Sequence, residues 1–109
     1  MSKMSRDKGK RGEREVAAII RSHGFEARRG QQHRGGPDSP DVIHDIPDLY
    51  IEVKFREQLN IYTALDKASD EALLSQDVVV FHRRNRTGWI VSMDADDFLQ
   101  MIKRGLRDA

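Results

Sequence analysis

Apolar and polar positions alternate along the chain in segments whose period changes from helical to extended and back. From about Arg11 to His23, the residues Val16, Ile19, Ile20 and His23 recur at helical spacing, and Gly24 supplies a stop. The basic stretch ahead of it is expected to be flexible over residues 1–8. Phe25–Arg29 reads as a short strand and the Gly- and Pro-bearing stretch Gly30–Pro40 as a loop. Asp41–Ile46 and Leu49–Phe55 are β-rich runs divided by Pro47-Asp48, the pattern of a hairpin. Between residues 61 and 75, Ile61, Leu65, Ala68 and Ala72 form one helical stripe, with Asn60 as its cap. Val78–Phe81 and Trp89–Ser92 are strands around the polar turn His82–Gly88, and Asp94 caps a last helix carrying Phe98, Leu99, Ile102 and Leu106. The resulting order, αβββαββα, predicts one α/β domain over residues 1–109 in which a mixed β-sheet is flanked by helices.

A chain of 109 residues leaves much of its surface in water, so a thin core and self-association are expected. The absence of cysteine excludes disulfides, thiolate metal sites and a cysteine nucleophile. With no long apolar run and no apolar stretch at the N-terminus, the expected setting is cytoplasmic. The net charge of +1 hides a strong segregation: residues 1–34 carry +6, residues 35–80 carry −7 and residues 81–109 carry +2. A basic front and an acidic middle suit a polyanion-binding surface around a carboxylate site that holds divalent cations against phosphates.

The acidic middle contains the most specific pattern, Pro40-Asp41 followed after ten residues by Glu52-Val53-Lys54. Alternation along a strand sends Ile51, Val53 and Phe55 to one face and Glu52 and Lys54, with Tyr50, to the other. A hairpin centred on Pro47-Asp48 would set Asp41 opposite Lys54 and Ile43 opposite Glu52, leaving Asp41 diagonal to Glu52. A slip of one residue would send Asp41 to the other face. Two adjacent carboxylates repel unless a dication or a proton neutralises them. Oxygen-only ligation suits Mg²⁺, with Mn²⁺ as a substitute, and such an ion can activate water against a phosphodiester while Lys54 offsets the developing charge. Glu13 falls on the same stripe of the first helix as Val16 and Ile20, a position from which it could complete the ligand set directly or through water. Asp38 and Asp45 are rival first carboxylates; an ordinary ion-pair ladder for Asp41, Glu52 and Lys54, and a solvated helix acid for Glu13, are the plain alternatives. Trp89 is expected in the core or an interface, and Arg83, Arg84 and Arg86 form either a charged turn or a phosphate contact.

These residues resemble the PD-(D/E)xK nuclease superfamily, whose core is restriction-endonuclease-like, with Pro40-Asp41 and Glu52-Val53-Lys54 in the places of the signature. The fuller string is similar to archaeal-type Holliday junction resolvases and their phage relatives: Lys10-Arg11-Gly12-Glu13-Arg14-Glu15 opening a helix, Gly24-Phe25 after it, and Arg28-Arg29 leading into the loop. The resemblance implies Glu13, Asp41, Glu52 and Lys54 as active-site residues, with Asp41, Glu52 and Glu13 on the metal. It further implies Arg29, with Gln31, as a phosphate-contacting group, and DNA contacts from Lys10, Arg11, Arg14 and Arg34. Members are Mg²⁺-dependent homodimers that cut symmetrically across a four-way DNA junction, so the expected activity is a structure-specific endodeoxyribonuclease acting in recombination and repair. Gly30-Gln31-Gln32-His33 departs from the small Ser/Gly stretch of archaeal relatives. That leaves a nickase, repair or restriction-type nuclease, and a non-catalytic DNA-binding module, as rival readings. For the dimer surface, the helix at 61–75 and the strand around Trp89 remain alternatives.

Overall fold

A computed structural model describes residues 3–30 and 40–108 of the chain. Three helices and five strands follow in the expected order: α1 (Lys3–Ser22), β1 (Ala27–Arg29), β2 (Val42–His44), β3 (Leu49–Phe55), α2 (Ile61–Glu71), β4 (Asp77–Arg83), β5 (Ile90–Ser92) and α3 (Ala95–Asp108). Strands β3, β4 and β5 form a mixed sheet, with β3 parallel to β4 and β5 antiparallel to it. Val16, Ala17 and Ile20 of α1 pack with Ile51, Val53 and Val79 in one core cluster, while Ala68 of α2 joins Tyr50 and Val78 in another. Both faces of β3 are therefore covered, as befits a strand with a parallel neighbour.

The hairpin expected between Asp41–Ile46 and Leu49–Phe55 does not form. Strand β2 pairs antiparallel with β1, matching Ala27 to His44 and Arg29 to Val42, in a separate two-stranded sheet. The edge of β3 that a hairpin would have used is met instead by a side chain: Asp41 Oδ2 accepts the Val53 amide at 2.7 Å. Pro47 has no amide to offer a ladder, and Asp48 takes a left-handed conformation (φ 56°). The Asp48 carbonyl then accepts the Asp77 amide, at the start of β4, at 2.7 Å. The turn thus hands β3 to its parallel neighbour rather than back to β2.

Other boundaries move for local reasons. Helix α1 extends back from the Arg11–His23 stripe to Lys3, so the basic stretch expected to be flexible is helical from there on; its Lys8 is held by Glu57 at 3.3 Å and lies over the Phe55 ring. Gly12 permits this helix to approach the sheet, since a Cβ there would meet Phe55 Cβ at 3.1 Å and Trp89 at 3.2 Å. Gly24 ends the helical segment with φ 93°, as its position foretold. Helix α2 stops at Glu71 instead of 75 because Ala72 turns extended and the Gln76 side chain accepts the Leu73 amide. Asn60 caps α2 by accepting the Thr63 amide, and Asp94 caps α3 by accepting that of Asp97.

Candidate active site

Four elements deliver the charged groups. Strand β3 carries Glu52 and Lys54 on the face toward α2; the segment entering β2 carries Asp41; α1 carries Glu13; and β1 carries Arg29. Asp41 and Glu52 are 7% and 5% exposed, an uncommon depth for acids. They come together because the Val53 amide fixes the Asp41 carboxylate beside the neighbouring Glu52, close enough for the two to share a hydrogen bond. The juxtaposition inferred from the hairpin register is thus present, but it arises from one side-chain bond to a strand edge.

Electrostatics follow from that geometry. Burial first, then the hydrogen bond and charge of Asp41, push the Glu52 carboxyl up to about 8. Lys54 Nζ lies 3.9 Å from Glu52 Oε1, and burial pulls the Lys54 ammonium below its ordinary value against the opposing pull of Glu52. Glu13 is raised by burial and then by the Asp41 charge, with Arg29 working the other way. Its carboxylate accepts Arg29 Nε at 2.8 Å, so α1 and β1 are joined at the edge of the site. Among the described residues, no three acids or imidazoles converge on a single point. Asp41 and Glu52 form the pair, while Glu13 is bound to Arg29.

That donor set fits a hard divalent cation. Two buried carboxylate groups without a thiolate or imidazole beside them need a proton or a cation to coexist, and an oxygen-liganded, water-rich ion such as Mg²⁺ takes only one or two carboxylates from the protein.

The remaining DNA-contact candidates separate. Lys10 and Arg14 are exposed on α1, Arg14 near enough to act on the Glu13 charge. Arg11 is engaged by Glu15 at 2.8 Å and lies 5.4 Å from the Phe55 ring centroid. Gln31 and Arg34, like the rival acid Asp38, fall outside the described residues. Asp45, the other rival, accepts the Glu26 amide away from the pair. Trp89 packs edge-on against Phe55 and against the core, as expected.

Four contributors escaped the sequence reading. Lys67 of α2 acts on the charges of both Glu52 and Lys54, and Glu71, one turn on, accepts the Tyr50 hydroxyl at 2.8 Å. Ala64, Lys67, Ala68 and Glu71 share one helical face, a spacing that could have exposed both. Gly30 donates its amide to the Asp41 carbonyl at 2.9 Å, and a Cβ there would lie 2.0 Å from the Pro40 carbonyl oxygen. Glu15 accepts Arg11, Arg83 and the Trp89 indole N–H, tying α1 to β4 and to the residue that leads into β5.

Residues 4–94 match the family described as archaeal Holliday junction resolvase (Hjc). A crystal structure of Archaeoglobus fulgidus Hjc, a Holliday junction resolvase from an archaeal hyperthermophile, superposes with a TM-score of 0.52 at 23% identity, covering 76% of this chain and 74% of that one. No curated protein sequence matches the chain significantly.

Proposed function

The chain belongs to the archaeal Holliday junction resolvase family, and from that premise we infer that it is an endonuclease that cuts four-way DNA junctions by metal-dependent phosphodiester hydrolysis. The observation that carries the chemistry is the buried Asp41–Glu52 pair with Lys54 beside it. Asp41 and Glu52 would hold Mg²⁺, or Mn²⁺ in its place, with Glu13 contributing through water from the Arg29 side. When bound, the ion would lower the pKa of a water and stabilise charge on the phosphoryl oxygens. Lys54, held near the pair 3.9 Å from Glu52, would orient that water and place a donor against the developing charge. Arg29, held by Glu13, presents its remaining guanidinium nitrogens to a phosphate, and Lys10, Arg11, Arg14, Gln31 and Arg34 supply further backbone contacts.

Symmetric cutting of two strands calls for two equivalent sites, hence a homodimer. Support comes from exposed apolar groups: Phe98, Leu99, Ile102 and Leu106 on α3, and Ile90 and Val91 on β5. Asp96 and Asp97 open the helix and Lys103 and Arg107 lie near its end, so antiparallel contact between two copies brings opposite charges together. No described helix is long and apolar enough to cross a membrane.

The test compares four-way, flapped, nicked and linear duplex DNA with Mg²⁺ and with EDTA, for the native chain, Glu52→Ala and Lys54→Ala. Mg²⁺-dependent cleavage restricted to the four-way substrate and lost in both variants is expected. Equal cleavage of all four substrates removes the junction reading, and full cleavage by either variant removes the mechanism. Sizing in solution should give a dimer that Ile102→Asp converts to a folded monomer.

A further inference from the structure

Where the Glu52–Lys54 face of the sheet ends, a second feature begins. The parallel register sets Lys54 beside His82 and Phe55 beside Arg83, so His82 shares the face of Lys54 one strand away. Beyond them, between the Arg56–Ile61 segment and the turn that joins β4 to β5, lies an open groove of about 560 Å³ bordered by Arg56, Glu57, His82, Arg83, Arg84 and Thr87.

Its walls are built before anything binds. The Arg56 amide donates to the Arg83 carbonyl at 3.1 Å, and the Asn85 amide to Glu57 Oε2 at 2.7 Å, joining one wall to the other. Thr87 closes the turn through the Arg84 amide and carbonyl, both at 3.0 Å.

The charges in the groove are unequal in a telling way. Its acid, Glu57, is already bonded to Lys8 and to the Asn85 amide, and Arg83 is committed to Glu15. Arg56 and Arg84 make no side-chain ion pair among the described residues. Two guanidinium groups outside any ion pair border a preformed groove that reaches His82, the cross-strand neighbour of Lys54.

We propose that this groove is a phosphodiester track: Arg56 and Arg84 hold phosphates of the DNA strand that continues past Lys54 from the reacting bond. It rests on the nuclease reading and adds to it the path of the strand beyond Lys54, along the ends of β3 and β4. Guanidinium groups suit such phosphates because each can offer two parallel donors. The contacts carry no base sequence, so they position a branched substrate irrespective of its letters.

The experiment measures binding of a four-way DNA junction in EDTA, where no cleavage occurs, as a function of salt. Arg56→Gln/Arg84→Gln should fold with an unchanged thermal midpoint and reduce the salt slope by about 1.8, the value for two lost phosphate contacts on duplex DNA. Single neutral methylphosphonates are then placed along each strand in turn. The native chain should lose affinity at a few adjacent positions to one side of the cleavage point, and the double variant should be indifferent to those same positions. An unchanged slope, or an identical methylphosphonate pattern in native and variant proteins, overturns the proposal. So does an equal loss of that pattern in Arg86→Gln, whose side chain lies outside the groove lining. Because binding is read without chemistry, a chain that binds in this pattern yet never cuts would refute the nuclease reading and leave the track standing.

Discussion

Glu52→Gln probes the buried carboxylate pair through stability alone. In EDTA, the folded chain keeps the Glu52 proton to about pH 8, against an ordinary value of 4.5, because burial and the Asp41 carboxylate both disfavour ionisation. Below pH 4.5, folded and unfolded chains both carry the proton and the site exerts no pH-dependent penalty. As pH rises from 4.5 to about 8, the unfolded chain releases it while the folded chain retains it, so the unfolded state gains and stability falls. Across that window the native chain loses on the order of 4 kcal/mol. The Gln amide has nothing to titrate and can donate to Asp41 as the protonated carboxyl does. Urea unfolding in EDTA should therefore find Glu52→Gln and the native chain similar near pH 4.5, and the variant more stable by about 3 kcal/mol near pH 7.5. Millimolar Mg²⁺ should recover the native chain near pH 7.5 and leave the variant little changed, since the ion replaces the proton only where both carboxylates remain. A stability difference independent of pH, or a native chain that gains on the variant as pH rises, would refute the account of the pair.

Further expectations concern close approach and positioning. Gly9→Ala, with nothing within 4 Å of the added carbon, should stabilise the chain by up to about 1 kcal/mol in urea unfolding. Gly12→Ala should instead destabilise it by about 1 kcal/mol, because crowding against Phe55 and Trp89 outweighs the helix preference; stabilisation of both would mean α1 does not sit so close to the sheet. Gly30→Ala, whose Cβ would collide with the Pro40 carbonyl, should displace Asp41 and lower single-turnover cleavage by about a hundredfold. An undiminished rate would show that this contact does not position the acid. Trp89→Phe removes the indole bond to Glu15 and should cost about 1.5 kcal/mol in unfolding free energy, with the cleavage rate at saturating protein unaffected.

The elements and their order were legible because each rests on local physics: the spacing of Val16, Ile19 and Ile20, the caps Asn60 and Asp94, and the stop at Gly24. Strand partnership was not, since it depends on which edge of β3 is free. The sequence pattern shows two runs divided by Pro47-Asp48 and cannot show that β4, more than twenty residues later, takes one edge and the Asp41 side chain the other. The juxtaposition of Asp41 and Glu52 was nevertheless inferred, through a register that does not exist. The shared outcome has a physical cause. In either topology the segment at Asp41 must run past the middle of β3, and there a carboxylate is drawn to an unpaired amide on a strand edge. In the folded chain that amide is Val53's, whose neighbours in sequence are Glu52 and Lys54, so the bond that fixes Asp41 necessarily sets it among them. The same bond explains why Asp41 and Glu52 can be buried together: the Val53 N–H supplies part of the solvation that water would have given Asp41, leaving Glu52 as the group that must keep its proton or share a cation.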